Sequence, residues 1–159
     1  YDFLIIDSGK QRILTDGTLN KKKESCYTIS KKLNIGNLCQ LSELSHENKK
    51  ILSKDEVAIA EHVILENQRS ILGRTTLEQN NLEKFGELMT QSHNSLRDLY
   101  KVSTSELDLL VELCNSFGSL GSKLTGAGFG GAIVTLIKKE IVEDLKMFIV
   151  ENYPNAKFL

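Results

Sequence analysis

Little in this chain of 159 residues assigns it to an unusual class, and each shortage excludes something. A single proline, at position 154, leaves no proline-rich linker, and no repeat or low-complexity segment is visible. Lysine plus arginine (20) nearly cancels aspartate plus glutamate (21), for a net charge of −1 and a pI near 6.4. That balance gives no electrostatic case for nucleic acid or an anionic membrane surface. Aromatic residues are only 6%. None interleaves the lysines at 21–23, so that run reads as a solvated helix face. No apolar stretch approaches the ~20 residues needed to span a bilayer, and no signal peptide is evident. Cys26, Cys39 and Cys114 are odd in number and lack C-x-x-C spacing. They read as free, mostly buried thiols in a reducing compartment, which implies a cytoplasmic protein.

What remains is ordinary globular composition, 40% hydrophobic and 26% charged, in a length suited to one domain spanning 1–159. The chain opens without Met inside Phe3-Leu4-Ile5-Ile6 and stops on Phe158-Leu159. Apolar termini of this kind lead to the expectation of a piece of a longer protein.

Pattern predicts the elements in turn. Residues 2–7 read as a buried strand and 11–14 as a second short one. Residues 20–33 suit a helix ending near Gly36, and 37–46 a short helix. Ser53-x-x-Glu56 is a capping box that opens a long helix, with Gly73 as its stop. Leu82, Phe85, Leu88, Met89, Leu96 and Leu99 mark a helix over 82–100. Ser103-x-x-Glu106 reads as another capping box, for a helix that Gly118 closes. A hairpin over 119–137, a helix over 139–152 and a strand from Lys157 follow. The sum is an α+β domain with helices on one face of an antiparallel sheet.

The most informative segment is 122–137, where Gly126, Gly128, Gly130 and Gly131 crowd six positions. Such a run uncovers backbone N–H groups and permits φ > 0, as a loop needs in order to approach a phosphate closely. Gly126-x-Gly128-x-x-Gly131 also matches the dinucleotide-binding fingerprint, but that motif must open a helix. Here Ala132–Ile137 is β-branched and apolar, so the loop joins strand to strand. Elsewhere the chemistry is thin. His46, His62 and His93 have no companions at metal-ligand spacing and read as structural. No nucleophile pair, magnesium carboxylate or acid–base pair stands out, so this chain offers no catalytic residue of its own.

Two long motifs then carry a resemblance. Gly86 through Asp108 follows M-x-x-S-H-x-S-L-R-D-x-Y-x-V-S-x-x-E-L-D, and Gly121-Ser-Lys-Leu-Thr-Gly-Ala-Gly-Phe-Gly-Gly131 is the second. Ile6-Asp7-Ser8-Gly9 followed by Lys22-Lys23-x-x-Cys26 adds to them. Over nearly its whole length the chain resembles the C-terminal half of the galactokinase family within the GHMP kinase superfamily. That resemblance implies a ferredoxin-like α+β domain from an enzyme that transfers the γ-phosphoryl group of MgATP to the anomeric hydroxyl of galactose. ATP and Mg²⁺ would be bound mainly by a separate N-terminal domain, leaving this piece inactive alone. Gly126, Gly128, Gly130 and Gly131, with Thr125 and Ser122 as neighbours, would support the phosphate loop. The family's sugar-contacting Tyr, three residues before the paired basic residues, corresponds to Leu19. That departure keeps open a kinase for another sugar, such as N-acetylgalactosamine or arabinose, and a non-catalytic galactose-sensing paralogue.

Overall fold

The computed structural model describes residues 1–11 and 18–159, with side chains from residue 20 onward in the second stretch. Four antiparallel strands form the sheet. Strand β1 (Asp2–Asp7) pairs with β3 (Ala132–Ile137), from Asp2↔Ile137 to Asp7↔Ala132. Strand β4 (Lys157–Phe158) pairs on its other side, and β2 (Gly121–Leu124) extends the sheet beyond β3. The spatial order β2-β3-β1-β4 results from two interleaved crossovers, the ferredoxin-like arrangement. One crossover carries α1 (Thr18–Lys32), α2 (His46–Ile51), α3 (Lys54–Glu78), α4 (Leu82–Asp98) and α5 (Ser105–Phe117). The other carries α6 (Val142–Asn152).

Alternation along β1 sets the core. Leu4 and Ile6 are buried, whereas Phe3 and Ile5 on the opposite face are 52% and 38% exposed. Leu4 and Ile6 join Leu124, Ile133 and Ile137 beneath α5 (Leu107, Leu110, Val111, Cys114) and α6 (Leu145, Ile149). The i, i+3, i+4, i+7 spacing on α5 supplies that apolar stripe. Gly118, left-handed at φ 113°, ends the helix as expected. Helices therefore cover one sheet face, and α4 runs along edge strand β2. There, a Cβ at Gly121 would stand 1.8 Å from the Gly86 carbonyl oxygen, and one at Gly86 2.2 Å from that of Leu120. Only glycine permits so close a helix–strand approach. A second core joins Ile29 of α1, Leu38, Leu44, Leu52, and Ile59, Ala60 and Ile64 of α3.

Several expectations need correction. Gly73 does not stop α3, which continues to Glu78. It faces the Phe85 ring instead, which lies 3.4 Å from where a Cβ would sit. The turn into α4 is made by Asn80 at φ 54°. The helix expected over 37–46 is only a 3-10 turn, Leu38–Gln40. It is followed by α2, which a capping box of Ser45 and Asn48 opens. The box at Ser53 and Glu56 forms. The one at Ser103 and Glu106 does not. Thr104 is the N-cap, and the Ser103 hydroxyl donates instead to Asp108. The thiols differ among themselves: Cys114 is buried, Cys26 half-buried and Cys39 exposed. The strand expected over 11–14 lies, beyond Gln11, outside the described residues.

Candidate functional site

The glycine segment is a strand-to-strand loop, as its β-branched continuation requires. Positive φ angles occur at Gly126 (80°), Gly128 (79°), Phe129 (58°), Gly130 (113°) and Gly131 (82°). Two walls hold this left-handed path. On one side the Val102 carbonyl accepts the Phe129 N–H at 2.7 Å. A Cβ on Gly128 would lie 2.2 Å from that same oxygen. On the other side Gly131 is clasped by the turn leaving β1. The Ser8 N–H and hydroxyl both donate to its carbonyl, at 2.9 and 2.7 Å, and its own N–H reaches Lys10 O at 3.1 Å. Gly130 backs onto the carbonyls of Lys10 and Gln11, 3.0 and 3.1 Å from a built Cβ.

The loop is thus buried along Gly128 and Gly130 and open at Gly126. Among the described residues, the amides of Gly126 and Ala127 have no acceptor within the protein. Two adjacent free N–H groups on a left-handed loop are what an anion oxygen can use. Thr125 starts the loop with its N–H on Ala132 O at 2.9 Å. Ser122 is turned away, fully buried, its hydroxyl donating to Thr135 at 2.7 Å. The side chain of Leu19 lies outside the described residues.

The structure also joins residues, near the loop and away from it, that no local pattern reveals. Lys10 Nζ pairs with Glu106 Oε1 at 2.7 Å on the first turn of α5. That ion pair holds the Glu106 carboxyl down at about 2. His93 is 1% exposed: Nδ1 accepts the Leu124 N–H at 3.3 Å and Nε2 stands 3.1 Å from Asp108 Oδ1. Accepting at Nδ1 puts the proton on Nε2 and ties β2 to α4. Burial lowers the His93 pKa, against the pull of Asp108. His62 is buried too and stacks on Tyr100 with centroids 4.3 Å apart. Between α3, α4 and β2, Glu66 accepts from Ser92 at 2.6 Å and from Arg69 at 2.5 Å. Lys123 Nζ reaches the same Ser92 hydroxyl at 2.7 Å, and its burial lowers its pKa.

The domain is a ferredoxin-like sheet with a clasped glycine loop between β2 and β3. Residues 74–155 match the family described as GHMP kinases C terminal, and the chain belongs to that family. Among its relatives, the galactokinase of Clostridium acetobutylicum is 39% identical over 96% of this chain. That of Streptococcus thermophilus is 40% identical over 94%. The chain spans only 41% and 40% of those proteins' lengths. Lactococcus lactis galactokinase, solved with galactose, superposes on the whole chain with a TM-score of 0.91 at 31% identity, over 44% of that structure. The L. major mevalonate kinase complexed with R-mevalonate shares the fold, with a TM-score of 0.62 at 21% identity.

Proposed function

We propose that this chain is the C-terminal part of an ATP-dependent sugar 1-kinase that converts galactose to galactose 1-phosphate in the intact, cytoplasmic protein. The observation that carries the reading is the left-handed loop with free amides at Gly126 and Ala127, set in a chain similar to galactokinases almost end to end. In that role the loop lines the phosphate-binding side of the cleft. Its amides offer hydrogen bonds to phosphate oxygens from a loop held at both ends, by the Thr125 N–H on Ala132 and by the Ser8 clasp on Gly131. Among the described residues no three His, Cys, Asp or Glu side chains gather. On this reading Mg²⁺, the sugar-binding groups and the catalytic base belong to the remainder of the protein. The 159-residue piece alone is inactive on this reading.

Leu19 supports one narrower alternative. A leucine where the galactokinase family has a sugar-contacting tyrosine supplies no hydroxyl, which suits a kinase of altered sugar preference. The test is a panel of galactose, N-acetylgalactosamine and arabinose with MgATP and the full-length protein, scored by sugar-dependent ADP release. Highest kcat/KM on galactose upholds the proposal. Preference for another sugar establishes the alternative, and binding without turnover a sensing paralogue.

A further inference from the structure

The turn that leaves β1 holds the glycine loop through one small buried side chain. Ser8 is 1% exposed, and its hydroxyl donates to the Gly131 carbonyl at 2.7 Å while accepting the Lys10 N–H at 3.3 Å. Lys10 in turn receives the Gly131 N–H. Residues 8 and 10 therefore straddle Gly131, and the Ser8 oxygen ties the two contacts into one unit. Around this unit the turn is anchored outward by Tyr153, whose hydroxyl donates to the Ser8 carbonyl at 2.8 Å, and by the Lys10–Glu106 pair. No local signal in the sequence joins these partners, since Ser8 and Gly131 are 123 residues apart.

We infer that Ser8 is a positioning residue for phosphate binding: its hydroxyl fixes the carbonyl of Gly131 and through it the pose of the loop that carries the free amides. The inference rests on the kinase reading above. Removing the hydroxyl leaves both main-chain bonds to Gly131 in place, so the loop remains but its geometry is less tightly determined. A phosphate partner then loses pre-organisation, whereas the sugar, held elsewhere, does not.

The test uses the full-length protein carrying Ser8→Ala, with Tyr153→Phe as a comparison. Tyr153→Phe removes a bond of the same kind from the same turn without touching Gly131. Ser8→Ala is expected to raise the KM for ATP by about two- to tenfold, the range for one neutral hydrogen bond. The KM for sugar should stay unchanged. Tyr153→Phe should alter neither KM, even if both variants lose similar thermal stability. A second readout needs no turnover: amide hydrogen exchange in 126–131 should accelerate in Ser8→Ala relative to that in β3. Equal ATP effects in the two variants, or none in Ser8→Ala, would overturn the inference. If the wild-type protein phosphorylates no sugar, the kinase reading fails by itself. The exchange measurement still decides whether Ser8 governs the loop, and unchanged exchange there sinks the inference independently.

Discussion

Replacing Gly128 by alanine tests the loop's architecture quantitatively, because Gly118 provides a matched control. Both residues have positive φ, 79° and 113°. A Cβ on Gly118 meets nothing within 4 Å, whereas one on Gly128 would stand 2.2 Å from the Val102 carbonyl oxygen. Gly118→Ala therefore carries only the backbone penalty of a left-handed L-residue, about 1–2 kcal/mol. Gly128→Ala carries a similar penalty and must also push a main-chain carbonyl aside, an overpacking cost of about 1–3 kcal/mol. The displaced carbonyl is the one that accepts the Phe129 N–H, so the loop cannot relax without losing that bond as well. Thermal unfolding of the two variants should differ by at least the overpacking cost, roughly 2–12 °C at about 2–4 °C per kcal/mol. In the intact kinase Gly128→Ala should also lower kcat/KM at least about tenfold, a change of ~1.4 kcal/mol in transition-state binding. Equal melting temperatures for the two variants would show that Val102 does not confine the loop.

Other outcomes follow from the same geometry. Gly121→Ala should destabilise the protein by about 2 kcal/mol or more, because α4 must lift off β2; urea unfolding measures it. Burial lowers the His62 pKa from 6.5 to about 4, so on acidification the unfolded chain takes up this proton first. Stability held above pH 6.5 is therefore lost as pH falls toward 4, by about 1.4 kcal/mol per unit from this group, and His62→Gln should flatten the slope in urea titrations between pH 7 and 5. Thiol labelling should modify exposed Cys39 quickly and leave Cys114, its thiol pushed up to about 12 by burial, untouched until unfolding. In the full-length protein Leu19→Tyr should lower the KM for galactose by up to roughly tenfold if residue 19 lines the sugar site. An unchanged KM removes that residue from the specificity argument.

The hairpin, the Ser53 cap and the Gly118 stop were legible because their signals are local: alternation, a four-residue spacing, a glycine at a helix end. Gly73 misled for the converse reason. A helix glycine next to a packed ring looks the same in sequence as a stop, and only the neighbouring α4 distinguishes them. Ser103 and Thr104 both suit an N-cap. The choice fell to Thr104 once Asp108, facing His93, gave the Ser103 hydroxyl a partner. The loop itself was legible from composition, but not which of its glycines face outward. Gly128 and Gly130 turned out to be the buried, backing side, and Gly126 the open one. Ser122 appeared beside the motif in sequence, yet strand alternation turns it into the core beside Thr135. Ser8 and Val102 were invisible as loop partners because chain folding alone brings them there.

The most direct measurement of the central claim is amide hydrogen exchange across residues 121–137 in the full-length protein, with and without a non-hydrolysable ATP analogue and Mg²⁺. If this loop is the phosphate wall of a galactokinase-type cleft, saturating nucleotide should slow exchange at Gly126 and Ala127. Strand β3, already hydrogen-bonded to β1 and β2, should change little. Saturable nucleotide binding that leaves those two amides as exposed as before would contradict the account.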